Sequence, residues 1–94
     1  MALGLALIHH LCIGMNISMN QVAEMFSLFA SQFVIAEFVP RDDERVIQLL
    51  ANREDIFKDY TEENFIRAFS VYFHLEHAKE LTHSKRKLFL WRKK

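Results

Sequence analysis

Apolar positions along the chain fall into two continuous runs and three helical stripes, followed by two alternating segments. Met1 to Leu11 is the first run, and Gln32 to Val39 (Gln-Phe-Val-Ile-Ala-Glu-Phe-Val) is the second, rich in β-branched and aromatic residues. Continuous apolar strands belong to parallel sheets covered on both faces. Between the runs, Ser18 and Gln21 have the spacing of a capping box, and Val22, Met25, Phe26 and Phe29 recur at helical intervals. Strand, helix, strand is the βαβ unit, whose crossover is almost always right-handed.

Beyond Pro40, the acids Asp42, Asp43 and Glu44 open a second helix, predicted over Asp43 to Arg53 with Val46, Leu49 and Leu50 on its buried stripe. A third helix is predicted from Thr61, with Glu62 and Glu63 in its first turn and Phe65, Ile66 and Phe69 facing inward. The linker Glu54 to Tyr60 carries Ile56, Phe57 and Tyr60, too apolar for a free loop, and is expected to pack down. The period then changes to two. Val71 to Leu81 alternates, with Val71, Phe73 and Leu75 against Tyr72, His74 and Glu76, and Lys87 to Trp91 alternates again after the polar turn Thr82 to Arg86. An antiparallel hairpin closing one side of the sheet follows.

Composition narrows the class. The 94 residues are 51% hydrophobic and carry 12 basic and 12 acidic side chains, which excludes disorder and a polyelectrolyte binding nucleic acid by bulk charge. The neutral total hides an asymmetry: Glu24 is the only charged residue before Glu37, whereas the last ten residues hold Lys85, Arg86, Lys87, Arg92, Lys93 and Lys94 and no acid. With alternating Leu88 and Leu90, that tail reads as a terminal strand whose solvated lysines discourage edge aggregation, not as a nucleic-acid site. Cys12 is the single cysteine, so no intrachain disulfide forms and a reducing, cytoplasmic setting is expected. The apolar start lacks the basic region and cleavage site of a signal peptide, and it is too short to span a bilayer. No membrane partner is expected.

The element order β, α, β, α, α, β, β places a very apolar strand at the start of the chain. Such a strand belongs mid-sheet, so its free side calls for a second copy or for a preceding half of a larger fold. The second explanation is preferred. The residues Leu5-Ala6-Leu7-Ile8-His9-His10-Leu11, then Val34-Ile35-Ala36-Glu37-Phe38-Val39-Pro40, then Arg53-Glu54-Asp55-Ile56-Phe57-Lys58-Asp59-Tyr60-Thr61 together resemble the C-terminal half of a class I S-adenosylmethionine-dependent methyltransferase, in its bacterial nodulation-protein-like branch. The resemblance covers nearly the whole chain. It implies that residues 1–94 form a single partial domain: an α/β, partial Rossmann-like sheet of two parallel strands plus a C-terminal antiparallel hairpin, with about three helices. In that plan the last strand inserts antiparallel between its neighbours. The cofactor implied is S-adenosylmethionine, but the family's Gly-rich loop would lie upstream of Met1; the glycines here, Gly4 and Gly14, make no such motif.

The same resemblance implies site residues. His9 and His10, at the carboxyl end of the first strand, would lie beside the reactive methyl group, one of them as general base to the acceptor. Leu7, Ile8 and His9 would line the cofactor. Adjacent strand residues point to opposite faces, so only one imidazole is expected to face the pocket, and a hydrogen-bonded structural histidine is the bland alternative. Glu37 and Phe38 would contact the acceptor; the plainer role for Glu37, whose burial requires a partner, is an ion pair with Arg41, Arg45 or Arg53. Asp55, Asp59 and Tyr60 are expected to cap and pack the third helix. No metal site is expected, because His74, His77, His83 and Cys12 lack ligand spacing. The aromatics have core spacing, not that of a stacking platform.

Two functions compete. In the first, the chain is the C-terminal portion of a methyltransferase, inactive in isolation because half a pocket cannot position a methyl donor and acceptor. In the second, it is a self-associating or interaction module, a homodimer or a partner to a separate N-terminal half through the first strand's edge.

Overall fold

The structure is a computed structural model that describes the chain except Met1, Ala6, residues 52–57, Asp59, His83 and the side chain of Ala2. Among the described residues the strands β1 (Ala2–Gly4), β2 (Phe33–Phe38), β3 (Phe73–Glu80) and β4 (Lys87–Lys93) form a four-stranded sheet in the order β1-β2-β4-β3. β1 is parallel to β2, and β4 is antiparallel to both β2 and β3. The last strand therefore sits between its neighbours, as the resemblance implies, and the mixed α/β class is as expected.

Local chemistry fixes the helices. Helix α1 (Met19–Phe29) starts at the capping box: the Gln21 amide donates to Ser18 Oγ (3.1 Å) and the Ser18 amide to Gln21 Oε1 (3.3 Å). Helix α2 (Glu44–Leu50) is capped by Asp43, whose Oδ1 accepts from the Arg45 amide. Helix α3 (Glu62–Ser70) is capped by Thr61, whose Oγ1 accepts from the Asn64 amide.

The first run departs from expectation. Strand geometry ends at Gly4, and the chain turns helical by Ile8, continuing as a π-helical turn over His10–Gly14. The Met15 amide donates to the His10 carbonyl, five residues back, at 3.0 Å. A continuous apolar run has no period, so sequence pattern does not separate strand from buried helix. The placement of Ile8, Cys12 and Ile13 in the core decides for the helix.

The core lies on the sheet face covered by α1 and α3. Val34, Ala36 and Phe38 of β2 stand opposite Trp91, Phe89 and Lys87 of β4. The Phe65 ring meets those of Phe38, Phe69, Phe89 and Trp91 at centroid distances of 5.4, 4.7, 4.9 and 5.8 Å. Gly4 lets the β1 backbone approach α1, since a Cβ there would stand 2.8 Å from Phe26 Cζ. The other face is less covered: Ile35, Leu88 and Leu90 are half-buried and Leu3 is exposed.

Two further expectations are corrected. The alternation of β3 does not translate into burial; Phe73 is buried but Leu75 is exposed, because β3 is an edge strand and a bulge between Leu75 and His77 shifts its register. β4 is an interior strand, so its basic residues do not guard an edge. Within β4 Lys87 meets Glu62 and Glu80, Arg92 meets Glu76 and Lys93 donates to the Ala30 carbonyl, while just before it Lys85 meets Asp42 and Arg86 meets Asp43 and Glu37.

Candidate functional site

In an open α/β sheet the crevice outside the carboxyl ends of the parallel strands is where ligands bind. Here that edge is formed by the segment after β1, the end of β2 and the start of β4. Ile8 is fully buried, His9 is 1% exposed, and His10 and Leu7 are exposed. The helical turn brings the two imidazoles together, with ring centroids 4.3 Å apart. The segment is a helical turn and not the expected strand, and of the two imidazoles only His10 is exposed.

His9 is held neutral. Its pKa is pushed down to about 4, first by burial, then by the nearby charges of His10 and Arg86, with Asp43 opposing. Its Nδ1 is buried and has no hydrogen-bond partner among the described residues. The hydrogen-bonded histidine foreseen as the bland alternative is thus not what this nitrogen shows.

Glu37 is buried at the end of β2, and its carboxylate stands 3.5 Å from an Arg86 guanidinium nitrogen. The expected ion pair at Glu37 is present, and among the described residues Arg86 is a partner beyond the expected Arg41, Arg45 or Arg53, because antiparallel insertion of the last strand carries the residue just before β4 to the end of β2. Residue 53 lies outside the described residues. Arg86 also grips Asp43 with two bonds, Nε to Oδ2 at 2.9 Å and a terminal nitrogen to Oδ1 at 3.2 Å. That hydrogen bond holds the Asp43 carboxyl below its usual range. Phe38 is packed in the core against Tyr60 and Phe65, with rings 5.2 and 5.4 Å away.

A groove of about 450 Å³ opens between the start of α1 and the flank of α3. Cys12, Met19, Tyr60 and Ala68 are its buried floor, and Asn16, Asn20, Gln21, Asn64 and Arg67 supply its polar wall. Tyr60 is anchored by its hydroxyl, which donates to the Val39 carbonyl just beyond β2. It therefore packs as expected, while Ile56, Phe57, Asp55 and Asp59 fall outside the described residues. Sequence reasoning missed this groove, since its residues are spread over three segments. The one local signal is Asn16, whose positive φ of 55° turns the chain between the π-helical turn and α1.

Burial pushes the Cys12 thiol up to about 12, so it is a poor nucleophile in the folded chain. Iodoacetamide at neutral pH is expected to modify Cys12 only as fast as the protein unfolds, with labelling accelerated by urea. Rapid labelling of the native chain, followed by mass spectrometry, would contradict this. Among the described residues no group of three or more candidate ligands is placed to hold a metal, and no helix is long and apolar enough to cross a membrane.

Fold and edge together define a mixed α/β chain with its polar chemistry at the carboxyl end of its parallel strands. No family model matches the chain, and no solved structure matches it. The chain is 41% identical over 87 residues to Nodulation protein NoeA of Rhizobium meliloti (strain 1021), a match that spans 93% of this chain. It spans only 18% of the length of that relative.

Proposed function

We propose that the chain is the C-terminal portion of an S-adenosylmethionine-dependent methyltransferase and is catalytically inactive by itself. The strand order β1-β2-β4-β3, with an antiparallel last strand between its neighbours, is the observation that carries the reading. The open side of the sheet supports it: β1 pairs only with β2 among the described residues, and Leu3, Leu5 and Leu7 are exposed beside it. A preceding half of the fold would cover that edge. Similarity to a segment that makes up 18% of a nodulation protein supports a larger polypeptide as the setting of this reading.

The residues present do not fit S-adenosylmethionine on their own. No Gly-rich loop exists in the chain, and Gly4 accommodates the Phe26 ring, not a cofactor. Leu7 and His10 are the exposed groups of the expected cofactor and acceptor segment, while Ile8 and His9 support them from the core. In this reading His10 exchanges protons with an acceptor, and buried, neutral His9 fixes its ring. Glu37, engaged with Arg86, orients the edge instead of touching the acceptor.

The test is a methyl-transfer assay with radiolabelled S-adenosylmethionine on two polypeptides, the 94-residue chain and a version continued upstream in its own reading frame. The chain alone is expected to give no turnover, and the upstream frame is expected to encode a strand followed by a Gly-rich loop. Turnover by the isolated chain, or an upstream frame without that motif, overturns the reading. Exposed Leu3 of β1, with Leu5 and Leu7 just after it, favours a second reading, a homodimer paired through this edge; a stable dimer lacking any cofactor affinity in both polypeptides would favour it.

A further inference from the structure

The groove between α1 and α3 has a composition that points to a ligand of its own. Its volume, about 450 Å³, is in the range of small-molecule sites. Its floor is apolar and firmly packed: Cys12, Met19, Tyr60 and Ala68 are each at most 8% exposed, and the Cys12 thiol rests 3.9 Å from the Met19 sulfur. Its wall carries a guanidinium and several amides, and no carboxylate lines it among the described residues.

Arg67 is the telling group. Lys85, Arg86, Lys87 and Arg92 meet acids at 2.6 to 3.8 Å. Arg67 instead has no carboxylate partner among the described residues; one terminal nitrogen donates to Asn64 Oδ1 at a long 3.4 Å. A guanidinium has five N–H donors in a planar fork that matches the two oxygens of a carboxylate. Set beside an apolar floor, that fork selects a molecule with a carboxylate at one end and a compact apolar body at the other.

We infer that this groove binds a small carboxylate whose apolar body lies on Met19, Cys12 and Tyr60 and whose carboxylate is held by Arg67. The inference rests on the groove alone and stands independently of the methyltransferase reading. Benzoate is the probe, with benzamide as the uncharged counterpart of the same shape. Titrated into the ¹⁵N-labelled chain, benzoate is expected to give saturable amide shifts confined to residues 16–21 and 60–68. The exposed Arg67 can be changed to Gln without disturbing the core, and the variant's own spectrum reports its folding. Arg67→Gln, which removes the positive charge and the two-donor fork, is expected to weaken benzoate binding by at least about tenfold. Benzamide is expected to bind the native chain about as weakly as benzoate binds the variant. Shifts that do not saturate, that map elsewhere, or that are equal for benzoate and benzamide overturn the proposal, as does a folded Arg67→Gln variant with undiminished affinity.

Discussion

Replacement of Trp91 by alanine is expected to destabilise the chain by about 4 kcal/mol, the cost of removing a large buried aromatic. Trp91 is fully buried in the interior strand β4, with its ring 5.8 Å from Phe65, 5.4 Å from Phe69 and 6.1 Å from Phe89. It stands opposite Val34 on β2 and Leu75 on β3, so it fills the space where three strands meet α3. Domains of this size have about 5 to 15 kcal/mol of total stability, so the variant sits near its unfolding threshold. Trp91→Phe provides the contrast. The indole N–H is buried without an acceptor among the described residues, so phenylalanine sheds an unsatisfied donor while losing part of the packing. Urea denaturation followed by circular dichroism should show a large loss for alanine and a much smaller one for phenylalanine. Equal midpoints for Trp91→Ala and the native chain would contradict the placement of this residue.

Acidification should weaken the fold well before its carboxylates titrate. His9 has a folded-state pKa of about 4 against 6.5 for an ordinary histidine, because burial and the charges of His10 and Arg86 disfavour the imidazolium. The unfolded chain therefore takes up a proton near pH 6.5 that the folded chain refuses until about pH 4. Stability is full above pH 6.5 and falls as pH drops through this window, by roughly 3 kcal/mol in all. Asp43, held low by Arg86, acts below that window: its stabilisation is present above the ordinary carboxylate pKa and is lost as pH falls through its depressed value. His9→Leu removes the first phase and leaves the second. Denaturation midpoints at half-unit pH steps measure both, and a native chain equally stable at pH 6.5 and pH 4.5 would contradict a buried neutral His9.

Much of this molecule can be read without coordinates where chemistry is local. The Ser18 and Gln21 box, the Thr61 cap and the Asp43 cap depend on side chains that reach their own backbone, and each appears where its residue types predict. β2 is likewise evident, since six residues of apolar and β-branched chain bounded by Pro40 leave little alternative. The first run failed because its apolar residues satisfy a buried strand and a buried helix equally well, and the preference of His9 to Gly14 for a helical turn comes from packing. That one change of conformation altered the site, moving His10 beside His9 and not across from it.

Long-range electrostatics was the other illegible part. Burial of Glu37 announced a cationic partner, yet Arg86 is distant in sequence and arrives only through the inserted last strand. The groove shares this property: Cys12, Arg67 and Tyr60 have no common pattern, and they meet because α1 and α3 cover the same face. The basic tail looked like a surface in the sequence, and its pairing with Asp42, Asp43, Glu62 and Glu76 gives it a structural role.

The central claim, that this chain is half of a methyltransferase pocket, is tested most directly by calorimetric titration of S-adenosylhomocysteine, with mass by light scattering on the same samples. The 94-residue chain is predicted to be folded and to give no saturable heat, and the polypeptide extended upstream in frame is predicted to bind in the micromolar range. Failure of the folded, extended polypeptide to bind, or tight binding by the isolated chain, would contradict it.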